Sequence, residues 1–139
     1  MKITVIGGSG FLGSHIADYL SEKKHKVLIF DKKKSKYLRS DQKMILGDIS
    51  NTKSLARAIK GSDIIYHFAG VVDIGYSIKN PHETLQMNII GTNNILSLCN
   101  KFKVKKIIIA STIYVQSGQG GFYKISKQAS ELLAEEYRK

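Results

Sequence analysis

Gly7-Gly8-Ser9-Gly10-Phe11-Leu12-Gly13 stands between a short β-branched run, Ile3 to Ile6, and a segment, Phe11 to Ser21, with Leu12, Ile16 and Leu20 at helical spacing. A G-x-x-G-x-x-G array at a strand-to-helix junction leaves few folds open. Without side chains, Gly7 allows a tight turn, Gly10 lets backbone N–H groups approach a pyrophosphate at the helix N-terminus, and Gly13 allows close packing of helix on strand. Phe11 and Leu12, inside the motif, count with it as cofactor-binding positions. About twenty residues further on, Asp31 follows the second strand-like run, Val27 to Phe30. A carboxylate there accepts hydrogen bonds from the 2′- and 3′-hydroxyls of a ribose and repels a 2′-phosphate, which favours NAD over NADP. Lys32 to Lys34 act against that repulsion, and Lys32 joins the cofactor-binding positions.

The rest of the chain repeats the alternation of apolar strand and amphipathic helix. Met44 to Leu46, Ile64 to Phe68 and Ile107 to Ala110 complete five strand candidates, and Leu55, Ala58 and Ile59 mark a second helix. A third helix is expected to start at Asn80 as cap, with Pro81 in its first turn and Glu83 closing a capping box, and to run to about Asn100. A fourth is expected from about Phe122 to the C-terminus. This pattern predicts an α/β fold, a doubly wound open parallel sheet of Rossmann-like, three-layer type, in strand order 3-2-1-4-5. Residues 1–139 read as a single dinucleotide-binding domain without linker or repeat.

The chain resembles the extended short-chain dehydrogenase/reductase family, the NAD-dependent epimerases and dehydratases that act mainly on nucleotide sugars. The resemblance runs from the glycine loop through Gly47-Asp48-Ile49, His67-Phe68-Ala69-Gly70, Asn88-Ile89-Ile90-Gly91-Thr92 and Ser111-Thr112 to Tyr123-Lys124-Ile125-Ser126-Lys127. It implies that Asp48 and Ile49 meet the adenine, that the backbone of Phe68, Ala69 and Gly70 lines the cofactor, and that Asn88 supports the nicotinamide side. It also implies that Thr112, Tyr123 and Lys127 are catalytic, with Ser111 supporting and Tyr123 and Lys127 also touching the cofactor.

Tyr123 and Lys127 are one helical turn apart and so share a face. A free phenol with a pKa of about 10 is a poor base at neutral pH, but a neighbouring ammonium favours phenolate. Tyr123 can then take a proton from a substrate hydroxyl while Lys127 also holds ribose hydroxyls, and Thr112, just beyond a strand's carboxyl end, can orient the substrate oxygen. Ile113-Tyr114 follow Thr112 where the family's 4,6-dehydratases carry an Asp-Glu pair, which disfavours dehydration. The stretch from Thr112 to Tyr123 is short for the family, and Gly118, Gly120 and Gly121 are expected to make it flexible.

The expected function is an NAD-dependent sugar-nucleotide epimerase or related oxidoreductase, present as its cofactor-binding half, with the family's C-terminal substrate domain absent after Lys139. The alternative is a non-catalytic dinucleotide-binding or regulatory module. Expected partners are a nucleotide-sugar substrate in the complete enzyme and a second copy packed through helices 81–100 and 122–139. Twenty-two Lys and Arg against 11 Asp and Glu give a net charge of +11. The lysines are scattered over clusters at 23–26, 32–36 and 101–106 that are expected to be loops, and no nucleic-acid motif accompanies them. No apolar run reaches the ~20 residues of a membrane span. No signal peptide precedes the first strand, so a cytoplasmic location is expected. Cys99 stands alone without a histidine cluster, which argues against a disulfide or a metal site and for buried helix packing.

Overall fold

A computed structural model describes residues 1–139. Five strands, β1 (Lys2–Ile6), β2 (Lys26–Asp31), β3 (Lys43–Leu46), β4 (Ile64–His67) and β5 (Lys106–Ile109), form one parallel sheet in the order β3-β2-β1-β4-β5. That is the order the alternation predicts, with boundaries within a residue or two. Central β1 pairs on both sides, Ile3 beside Val27 and beside Ile64. It buries Ile3 and Val5 toward one face and Ile6 toward the other, because both faces are covered, as parallel strands require.

The helices are α1 (Phe11–Glu22), α2 (Thr52–Ile59), α3 (Ile74–Lys79), α4 (Pro81–Leu85), α5 (Gly91–Lys101) and α6 (Gly121–Arg138). Ile3, Val5, Val27 and Ile29 pack against Ala17 and Leu20 of α1 on one face of the sheet. Ile6, Phe30 and Ile65 pack against Leu55 and Ile59 of α2 and Ile95 of α5 on the other. Cys99 belongs to this second core, and burial pushes its thiol up to about 12, which leaves it unreactive. No helix is long and apolar enough to cross a membrane.

Two expectations are corrected, on the third helix and on the lysine clusters. The third helix is not one run from a capping box. Asp73 caps α3 by accepting from the Tyr76 N–H, and α3 brings Tyr76 next to the start of α4. There the Asn80 amide donates to the Tyr76 carbonyl and Glu83 accepts from the Tyr76 hydroxyl, so neither residue forms the box. A π-helical turn, Gln86–Ile90, then separates α4 from α5. The lysine clusters are only partly loops: Lys26 and Lys106 open β2 and β5, and Lys101 ends α5. The glycine-containing stretch before Tyr123 forms a 3-10 turn, Ile113–Gln116, and is tied to α6 where Gln128 donates to the Val115 carbonyl at 2.9 Å and Lys124 donates to the Ser117 carbonyl.

The junction of β1 and α1 leaves no room for a side chain at Gly13. A Cβ on Gly13 would lie 2.2 Å from the Gly7 carbonyl oxygen and 2.8 Å from the Gly8 Cα, and Gly7 itself has φ +83°. Gly13→Ala is expected to cost about 3 kcal/mol of stability, because backbone cannot swing aside as a side chain can. Urea unfolding measures it, and a loss below ~0.5 kcal/mol would mean that α1 is not seated this closely.

Candidate functional site

The carboxyl ends of β1, β2, β3 and β4 open onto one cleft of about 190 Å³. Ser14 is the first residue of α1 whose N–H closes a helical bond, onto Gly10, so the amides of Phe11, Leu12 and Gly13 remain open donors at the helix start. The side chains of Phe11 and Leu12 are exposed, and Phe11, Leu12 and Gly13 are not among the residues that line the cleft. Three convergent donors at the N-terminus of a twelve-residue helix, over a floor with no Cβ, fit a pyrophosphate. Gly7, Gly10, Asp31, Lys32, Asp48, Ile49, Phe68, Ala69 and Gly70, all singled out in the sequence, line this cleft, together with Phe30, Gly47, Val71 and Met87, which were not.

Asp31 lines the cleft at the end of β2. Its Oδ2 accepts from the Ser9 N–H and its Oδ1 from the Lys33 N–H, both at 3.0 Å, while the Ser9 hydroxyl donates to the Lys33 carbonyl at 2.7 Å. Asp48 also lines the cleft, and its carboxyl is held below the ordinary range by the backbone N–H of Ser50 first of all, with the Lys32 ammonium adding to the effect. Hydrogen bonds from backbone amides keep both carboxyl groups in fixed directions.

Asn88 is buried and its side-chain amide makes three hydrogen bonds. It accepts from the Val71 N–H at 2.8 Å, donates to the Val71 carbonyl at 2.8 Å and donates to the Ser126 hydroxyl at 2.9 Å. It also packs on Gly70, where a Cβ would sit 2.6 Å from its Oδ1. Asn88 thus fastens the loop after β4 to α6, and the π-helical turn that carries it sets its reach.

α6 brings Tyr123 and Lys127 inward, 8% and 7% exposed. The Lys127 ammonium donates to the Ala110 carbonyl at 2.8 Å and lies 6.0 Å from the centroid of the Tyr123 ring. Burial lowers its pKa. The two hydroxyls after β5 diverge. Ser111 donates outward to Glu131, whereas Thr112 caps the 3-10 turn by accepting from the Tyr114 N–H and keeps its own proton to donate.

His67, quoted in the sequence only as part of a segment, ends β4 beneath this group. It is buried, its Nε2 meets the Thr92 hydroxyl at 2.9 Å, and its Nδ1 has no partner. Burial first, and the nearby Lys127 charge second, push its pKa down to about 3. Only its place at the end of an apolar strand could have signalled this.

Residues 3–139 match the NAD dependent epimerase/dehydratase family model. The chain is 34% identical, over 81% of its length, to the UDP-glucose 4-epimerase of Halalkalibacterium halodurans, and 32% identical, over 82%, to the human sterol-4-alpha-carboxylate 3-dehydrogenase, decarboxylating. It spans 35% and 30% of those proteins. Among solved structures it resembles the Thermotoga maritima UDP-glucose 4-epimerase with UDP-glucose, at TM-score 0.89 and 27% identity, covering 99% of this chain and 51% of that one. The Thermus thermophilus UDP-glucose 4-epimerase complex with NAD gives 0.90 and 26%, covering 99% and 50%.

His67 generates a prediction about pH. Neutral in the fold and free to protonate near pH 6.5 when unfolded, it stabilises the protein fully above pH 6.5, and this contribution is lost as pH falls toward 3. Stability should therefore drop by about 1.4 kcal/mol per pH unit between pH 6 and 4.5. His67→Gln, which keeps a polar partner for Thr92, should flatten that slope in denaturant titrations at each pH, and an unchanged slope would assign it to other groups.

Proposed function

From the premise that the chain belongs to the NAD-dependent epimerase/dehydratase family, we propose that residues 1–139 are the NAD-holding part of a sugar-nucleotide epimerase or related oxidoreductase in which Tyr123 is the general base. The observation that carries this reading is the burial of Tyr123 and Lys127 side by side, with the Lys127 ammonium on the Ala110 carbonyl after β5, at the same carboxyl edge of the sheet as the cleft. The cofactor is NAD. When bound it supplies the hydride acceptor at its nicotinamide ring.

The protein's own residues do the rest. The open amides of Phe11, Leu12 and Gly13 hold the pyrophosphate, and Asp31 takes the ribose diol. Tyr123 removes the proton of a substrate hydroxyl, and the Lys127 ammonium stabilises the phenolate that does so. Thr112, with its proton free, donates to the substrate oxygen and fixes its direction, and Ser111, turned toward Glu131, supports the strand end. The part of the relatives that reads the nucleotide sugar falls in this reading outside the portion that residues 1–139 span. One relative and two solved structures named as UDP-glucose 4-epimerases support a UDP-sugar as substrate.

A homodimer through the face of α5 and α6 belongs to the same proposal. Phe122, Ile125 and Leu132 lie exposed along one stripe of α6 at helix spacing, with Ile78 and Ile90 also exposed on α3 and the π-helical turn. Leu132→Glu is expected to shift the protein to a monomer in sedimentation or light scattering while leaving its unfolding midpoint within error. A wild-type protein that stays monomeric at high concentration would remove the dimer.

Titration with NAD+ tests the cofactor reading: Tyr123→Phe should bind within about twofold of wild type, and Lys127→Ala about tenfold or more weakly. In a protein that joins these residues to a substrate-reading part, Tyr123→Phe should cost at least a hundredfold in turnover of a UDP-sugar. Wild-type turnover by that variant would refute the base. Tight NAD+ binding with no reduction of bound NAD+ by any UDP-sugar would favour the non-catalytic module.

A further inference from the structure

The three hydrogen bonds around Asp31 join two loops that the sequence separates. Asp31 spends one carboxylate oxygen on the glycine loop, through the Ser9 N–H, and the other on the lysine turn, through the Lys33 N–H. The Ser9 hydroxyl completes a closed ring by donating to the Lys33 carbonyl. Ser9 is the one residue that grips this ring with both backbone and side chain.

The ring bears on the choice between ribose and ribose phosphate. A 2′-phosphate would be received here by backbone N–H groups and ammonium groups together, and Lys32, Lys33 and Lys34 supply the charge. The Lys33 N–H, the donor such a phosphate would need from the turn, is already committed to Asp31. Lys32, at the wall of the cleft, has its charge set against Asp48. Asp31 has four lone-pair positions, so two accepted bonds leave room for a ribose diol.

We infer that Ser9 is a specificity-determining residue, whose hydroxyl locks the lysine turn onto the glycine loop and so keeps a receptor for the 2′-phosphate of NADP from forming. This rests on the cofactor reading of the cleft and goes beyond it, because the carboxylate alone is no longer what excludes the phosphate. With the hydroxyl removed, the turn is held by Asp31 only, and a 2′-phosphate can compete for the Lys33 N–H.

The test is the ratio of NADP+ to NAD+ dissociation constants, measured by calorimetry on the 139-residue chain and its variants. The ratio cancels any effect on the adenine or the pyrophosphate, which the two cofactors share. Ser9→Ala should lower it about fivefold, the worth of one hydrogen bond of ~1 kcal/mol, and Ser9→Thr, which keeps the hydroxyl, should hold it near the wild-type value. Amide exchange of the unliganded protein should show Lys33 N–H opening faster in Ser9→Ala and not in Ser9→Thr. An unchanged ratio in Ser9→Ala, or equal weakening of both cofactors, overturns the inference and leaves the cofactor site standing. Wild-type protein that binds neither cofactor overturns the site and the inference together.

Discussion

Everything at the functional edge of this protein depends on one backbone-to-backbone contact, the seating of α1 on the end of β1 through Gly7 and Gly13. A methyl group on Gly13 would fall within bonding range of a carbonyl oxygen, so only glycine permits the approach. Because the contact is that close, the open amides of α1 point over the carboxyl end of the sheet and not past it. Parallel crossovers deliver the ends of β2, β3 and β4 to the same edge, which gathers Asp31, Asp48 and the Phe68-Ala69-Gly70 backbone around those amides. One steric tolerance thus decides where four separate loops meet.

A second set of constraints is polar and buried. Asn88 ties the loop after β4 to α6, His67 ties β4 to α5 through Thr92, and Lys127 ties α6 to the end of β5 through Ala110. Ser130 adds a bond from α6 to the Asn88 carbonyl at 3.0 Å. A buried polar group left unpaired costs about 1–3 kcal/mol, so these bonds specify a single position of α6 more sharply than its apolar contacts would. The position they specify puts Tyr123 and Lys127 side by side. His67 remains neutral within the group, which leaves the Lys127 ammonium as the positive charge beneath Tyr123.

How much of this was legible in the sequence follows from the range of each interaction. The glycine loop, Asp31 at the end of β2 and the i, i+4 pair of Tyr123 and Lys127 are local patterns, and they read directly into the places where the structure holds them. Strand order followed from alternation alone, because parallel connections of one hand leave few alternatives. The capping box at Asn80 and Glu83 misled because Tyr76, on a short helix whose only signal is Asp73, takes up both partners. Asn88 was legible as a position, but not as a clip between Val71 and Ser126, since its partners lie 17 and 38 residues away. Ser9 reads as a spacer between glycines, and only the fold brings Lys33 within reach of its hydroxyl.

The positive charge makes sense once the strands are in register. Lys2, Lys26, Lys43 and Lys106 are the first residues of β1, β2, β3 and β5, so they line the amino edge of the sheet, the edge opposite the cleft. Lys24, Lys60, Lys103 and Lys105 enter from turns at that same edge, where Asp63 pairs with Lys105 at 2.8 Å. At that edge each strand starts in solvent, and an apolar stem with a charged head suits the change from water to core. The lysines of this edge therefore lie a strand length away from the cleft, while Lys32, Lys33 and Lys34 stay beside it. At ordinary ionic strength, where fields between exposed groups fade over about 8–10 Å, the charge of the amino edge contributes little there. The attraction for an anionic cofactor is then set by the near groups, the N-terminus of α1 and Lys32, Lys33 and Lys34 against Asp31 and Asp48, and with lysines this close, the hold of the Ser9 hydroxyl on the Lys33 turn weighs in the choice of cofactor.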